Sequence, residues 1–90
     1  MFYVYVLQSL RDKKLYIGFS TNLRNRIKDH NSGSTKSTKP RRPFRLLYYE
    51  AHLSEKDARR REIYFKTEKG KSSLRQILRN TLLLINPPRL

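Results

Sequence analysis

Apolar and polar positions follow two rhythms along this chain. Phe2 to Leu7 (FYVYVL) is an unbroken aromatic and β-branched run, the pattern of a strand buried on both faces. Arg11-Asp12-Lys13-Lys14 interrupts it, and Leu15 to Ser20 (LYIGFS) reads as a second short strand. Runs so close together predict an antiparallel hairpin. With an even-numbered loop, either 12–13 or 11–14, position 9 faces position 16. The two-residue side-chain period then puts Tyr3, Tyr5, Tyr16 and Gly18 on one face. A slip of one residue would part Tyr5 from Tyr16. Gly18 leaves that face open to the close approach of a backbone or a ligand.

A helical rhythm takes over after Thr21 or Asn22, either of which caps a helix. Leu23 and Ile27, four apart, form its inner stripe; Arg26 and His30, also four apart, stack on a neighbouring face. Asn31-Ser32-Gly33 closes it. Ser34 to Pro43 (STKSTKPRRP) is a loop by composition, with Lys36, Lys39, Arg41 and Arg42 in it and no acid nearby. Phe44 to Leu53 is a third strand. Ser54-Glu55-Lys56-Asp57 resembles a capping box opening a helix that runs to about Lys69. Ala58, Glu62 and Phe65 share a stripe of that helix, where a carboxylate is costly unless it has a partner. Gly70 breaks the pattern. A last helix carries Leu74, Ile77, Leu78, Leu82 and Ile85 on one face and stops at Asn86-Pro87-Pro88. The order β-β-α-β-α-α predicts an α/β (α+β) domain: a small, mostly antiparallel three-stranded sheet flanked by about three helices.

Composition narrows the class. Ninety residues make one domain with a modest core. Lys+Arg 21 against Asp+Glu 7 gives a formal charge of +14, which favours polyanions, nucleic acid first among them. An anionic membrane surface or a ribosomal scaffold fits charge equally well. Cysteine is absent, so disulfides and thiolate metal sites are excluded. The opening MFYVYVLQS has no signal-peptide pattern, and the longest purely apolar run, Leu82 to Ile85, is far short of a membrane span. A soluble cytoplasmic protein without a membrane partner is the expectation.

The chemistry-bearing groups are tyrosines, arginines, one helix histidine and the oddly placed Glu62. No glycine-rich phosphate loop, Ser-His-Asp set or histidine cluster is present. Tyr3-Val4-Tyr5, Tyr16-Ile17-Gly18, Arg26, His30 and Glu62 in ARRRE, in that order, resemble the GIY-YIG nuclease domain, closest to its small stand-alone bacterial members. The resemblance covers roughly Phe2 to Leu82 and implies such a domain over 1–85 with a tail at 86–90. It implies a three-stranded antiparallel sheet and cleavage of a DNA phosphodiester with one Mg²⁺ or Mn²⁺ ion. By it Tyr16 takes or positions the proton of the attacking water, and Tyr5 binds that water or a phosphate oxygen. Arg26 pairs with the scissile phosphate, His30 sits near it, and Glu62 is the single protein ligand to the metal. Phe19 stands where some members carry a lysine, and Asn80 and Asn86 are both available for a late asparagine of larger members.

Each residue also has a plainer reading. A strand tyrosine packs a core, Arg26 and His30 form a solvated helix face, and Glu62 makes a salt bridge among Arg59, Arg60 and Arg61. Lys36, Lys39, Arg41, Arg42 and Lys66 read either as solvated cations or as grips on phosphates. The expectation is a metal-dependent endonuclease or nickase of low sequence specificity, acting in DNA repair or recombination. The alternatives are a basic nucleic-acid-binding module with weak or no activity, and an accessory to a ribosome or nucleoid with RNA as partner.

Overall fold

Three strands form one antiparallel sheet in the order β2-β1-β3: β1 (Phe2–Ser9), β2 (Leu15–Ser20) and β3 (Phe44–His52). The computed structural model describes residues 1–87, so Pro88 and the rest of the expected tail lie outside the described residues. The helices are α1 (Leu23–Ser32), α2 (Glu55–Phe65), α3 (Glu68–Ile77) and α4 (Arg79–Ile85), with a 3-10 turn at Lys39–Arg41. The fold is α+β, in the order β-β-α-β-α-α-α.

The β1–β2 pairing joins Tyr5 to Gly18 and Leu7 to Tyr16. Position 9 therefore does not face 16: the register differs by two residues from the expected one, because the hairpin closes tightly on Ser9 and Lys14. A shift of two preserves side-chain parity, so Tyr3, Tyr5, Tyr16 and Gly18 still share a face. The β1–β3 register shifts between Val6 and Leu7, where Val6 pairs with Tyr48 and Leu7 with Leu46. That bulge turns Phe44 and Leu46 onto the same face as Tyr5, whereas Tyr48 points the other way.

Each face builds its own core. Tyr5, Leu7 and Phe44 pack with Tyr16, Leu46 and the α1 stripe of Leu23 and Ile27. On the opposite face Val4 and Val6 meet Ala58, Phe65, Leu74 and Leu78 from the later helices. Burying a side chain such as Phe65 contributes about 1.5–3 kcal/mol.

The later helices depart from the sequence reading. α2 ends at Phe65, four residues early, because Thr67 caps a new helix through its side chain and the Gly70 amide. Gly70 is thus inside α3 and breaks nothing. It is buried where a Cβ would collide with the Tyr64 carbonyl, so its lack of a side chain lets α3 close on α2. The expected final helix bends at Leu78, leaving Leu74 and Leu78 buried, Leu82 half-buried and Ile77 exposed.

Candidate active site

Tyr5 leads from the centre of the sheet. It is on the middle strand, fully buried, and its ring lies across Gly18 on the edge strand β2. Any side chain at position 18 would strike the Tyr5 hydroxyl, which gives this glycine a steric reason. α1, capped at Asn22 and closed by Gly33 in the left-handed conformation, lays Arg26 and His30 over that hydroxyl.

A chain of hydrogen bonds results. Arg26 Nε donates to Tyr5 Oη at 3.4 Å, and Tyr5 Oη lies 2.8 Å from His30 Nε2. His30 Nδ1 lies 2.9 Å from Thr38 Oγ1, which donates to the Thr35 carbonyl at 3.3 Å. One proton order satisfies every group. Thr38 spends its hydrogen on the carbonyl and accepts from Nδ1–H; Nε2 then accepts from the Tyr5 hydroxyl, whose oxygen accepts from Arg26. His30 is therefore a neutral imidazole. Burial, and next the Arg26 charge, push its pKa below the usual value. Burial pushes the Tyr5 phenol up to about 12 despite the Arg26 hydrogen bond, so it keeps its proton at neutral pH.

Tyr16 completes the cluster through ring contacts. Its centroid is 4.9 Å from His30 and 6.3 Å from Tyr5, and it is half-buried. The hydrogen bond to Tyr5, with the Tyr16 phenol close by, raises the pKa of Arg26. Glu62 comes from α2, which packs on the other sides of β1 and β2, yet its charge reaches Tyr5 and adds to the rise of that phenol. The Glu62 side chain is 16% exposed and takes Lys66 Nζ at 3.1 Å. Among the described residues no three of His, Asp and Glu cluster as a metal cage. Glu62 is a hard, half-buried oxygen donor whose partner is an exposed lysine, and a single carboxylate of that kind fits Mg²⁺ or Mn²⁺, which take few protein ligands.

The model of the "GIY-YIG catalytic domain" matches residues 1–76. The chain belongs to the GIY-YIG family. Its GIY-YIG relatives are small proteins of its own size. A UPF0213 protein of Pediococcus pentosaceus is 40% identical over 94% of this chain and 90% of that one. Another, of Staphylococcus haemolyticus, is 42% identical over 83% of this chain and 92% of its own length. The solution structure of the UPF0213 protein of Bacillus halodurans matches with a TM-score of 0.54 and 36% identity, over 93% of this chain and 97% of that one. GIY-YIG is a nuclease family whose members act on DNA. No described helix is long and apolar enough to cross a membrane.

The GIY-YIG chain deploys its cations unevenly. Arg41 has an acid nearby after all: its Nε holds Asp12 of the hairpin loop at 2.7 Å, and that hydrogen bond leads in lowering the Asp12 pKa to about 2. Arg42 Nη1 donates to the Ser32 carbonyl at 3.0 Å. Ser9 Oγ donates to the Arg41 carbonyl, so both arginines fasten the loop to the body. Lys36 and Lys39 are exposed, and Lys66 is committed to Glu62. Arg59 lies 3.6 Å over the Phe19 ring, one residue past Gly18. The sequence reading missed Thr38, which is 1% exposed and orients His30 from inside a segment read as a loop by composition. Only its eight-residue distance from His30 hinted at it, and distance alone carries no direction.

Proposed function

We propose that this protein is a divalent-metal-dependent endonuclease or nickase that hydrolyses DNA phosphodiester bonds with low sequence specificity, in repair or recombination. The observation carrying this reading is the hydrogen-bonded line Arg26–Tyr5–His30–Thr38, set beside Tyr16, on a GIY-YIG chain.

Arg26 presents a guanidinium to the scissile phosphate and offsets the charge that grows as the water oxygen bonds to phosphorus and the ester P–O bond breaks. Tyr16 takes or positions the proton of that water. Tyr5 keeps its own proton and serves as the fixed post that aims Arg26. His30 and Thr38 lie behind it, out of solvent, and act through it as positioning residues. A Mg²⁺ or Mn²⁺ ion on Glu62 would polarise a phosphoryl oxygen and share its negative charge. Lys66 would pass from Glu62 to a phosphate oxygen once that carboxylate is engaged elsewhere.

Nicking of supercoiled plasmid tests this reading. Cleavage should need Mg²⁺ or Mn²⁺ and stop in EDTA. Glu62→Ala should abolish it, and Tyr16→Phe should slow it on the order of 10²–10⁴-fold. Equal cleavage by wild type and both variants would assign the activity to a contaminant and leave a basic nucleic-acid-binding module.

A further inference from the structure

Among the described residues Tyr49 is the one aromatic residue in the set of exposed large hydrophobic side chains, 51% accessible. It is paired directly with Tyr5 across the β1–β3 ladder and points to the same face. Its ring meets Tyr3 edge-on, with centroids 6.1 Å apart and planes at 62°. Together they wall a cleft of about 550 Å³ whose other side is α1, through Leu23, Arg24 and Ile27, with the turn 21–22 at one end. No acid lines it. A half-exposed aromatic face, an aliphatic floor and an arginine are what an unstacked nucleobase and its phosphate require.

The location matters as much as the lining. Paired residues on neighbouring strands lie about 5 Å apart, so Tyr49 is the immediate neighbour of the residue that aims Arg26. A strand whose phosphate sits at Arg26 therefore passes this cleft with an adjacent base. We propose that the cleft between Tyr49 and α1 takes that base, unstacked and unpaired, so that the substrate is DNA with a single-stranded segment beside the scissile bond. This rests on the nuclease reading for the position of the phosphate. A base inside a duplex has both faces covered by its neighbours and cannot lie on Tyr49. Stacking also explains how a site with low sequence specificity still selects: every base has a π-face, and only unpaired ones present it.

Fluorescence anisotropy in EDTA tests the cleft without passing through cleavage. The probes are a labelled oligothymidylate strand and a blunt duplex of the same length. Tyr49→Ala should weaken binding to the single strand on the order of 5- to 150-fold, with Tyr49→Phe close to wild type and duplex binding little changed. Arg24→Gln should weaken single-strand binding as well. Circular dichroism of each variant checks the fold, and the exposure of both side chains keeps that risk small. Unchanged single-strand binding in Tyr49→Ala, or an equal loss on both probes, would overturn the cleft. Loss of nicking in Glu62→Ala with this binding pattern intact supports both readings. A strand-selective cleft on a protein that never nicks would sink the nuclease and leave the cleft standing.

Discussion

The Thr38 hydroxyl fixes more than its size suggests. It has one hydrogen, given to the Thr35 carbonyl, so it can only accept from His30 Nδ1. That settles which imidazole nitrogen is left to accept from Tyr5, and hence which way Tyr5 and Arg26 face. Thr38→Val leaves a buried N–H without a partner, which costs about 1–3 kcal/mol in a urea titration; Thr38→Ser should recover most of it. The neutral imidazole also has a pH signature. Burial and Arg26 depress its pKa, and Asp29 opposes them only in part. A depressed pKa means that the unfolded chain binds the proton more readily. Its contribution to stability is therefore complete above 6.5 and is lost as pH falls below that value. Asp12, also depressed, gives up its share only below its ordinary 3.8, and Glu50, where hydrogen bonds from Arg61, Tyr48 and His52 outweigh burial, below 4.5. The melting temperature should thus fall between pH 6.5 and 4.5, and His30→Gln should flatten that segment.

At the scale of elements, the α2–α3 corner reverses an ordinary rule. Alanine in place of glycine inside a helix usually gains up to about 1 kcal/mol. At Gly70 the added methyl would meet the Tyr64 backbone carbonyl, which cannot yield as a flexible side chain would. Gly70→Ala should instead destabilise by about 1–3 kcal/mol, read as a lower urea midpoint. The same corner shows what a sequence can reveal. An isolated glycine reads as a breaker, and its use as a close-contact residue depends on a partner helix that no local pattern specifies. Thr67 capping Gly70 was visible in principle, but the polar run Lys66–Lys71 hid it. Parity in the hairpin was legible because sheet faces repeat every two residues; the absolute register was not, since turn closure decides it. The bulge at Leu46–Leu47 was hidden too, because a run apolar on both faces carries no phase. The site was legible where spacing fixes geometry, as with Arg26 and His30 four apart on one helix. It was illegible where a loop folds back, as with Thr38 and with Arg41, whose acid lies 29 positions earlier.

The molecule as a whole carries its charge almost unopposed. Asp12, Glu50, Glu55, Asp57, Glu62 and Glu68 already hold cationic partners, which among the described residues leaves most Lys and Arg without one. Several of these stand on two separate parts of the surface. Lys13, Lys14 and Arg75 rim a second cleft on the far face of β2, and Lys36 and Lys39 stand on the loop beyond α1. Salt should therefore act on the free protein and on the complex with opposite signs. In the free chain it screens self-repulsion, so the melting temperature should rise as salt is added. In the complex it competes with counterion release. The longest axis is 44 Å, and ten phosphates of one strand span roughly 34 Å, so six to ten contacts fit along the molecule. DNA affinity should then fall on the order of 10³–10⁵-fold between 50 and 200 mM salt. Because the folded protein gains stability in salt, that loss cannot come from unfolding. An affinity that barely moved over this range would mean that few of these cations touch phosphate, and the basic surface would then need a purpose other than holding DNA.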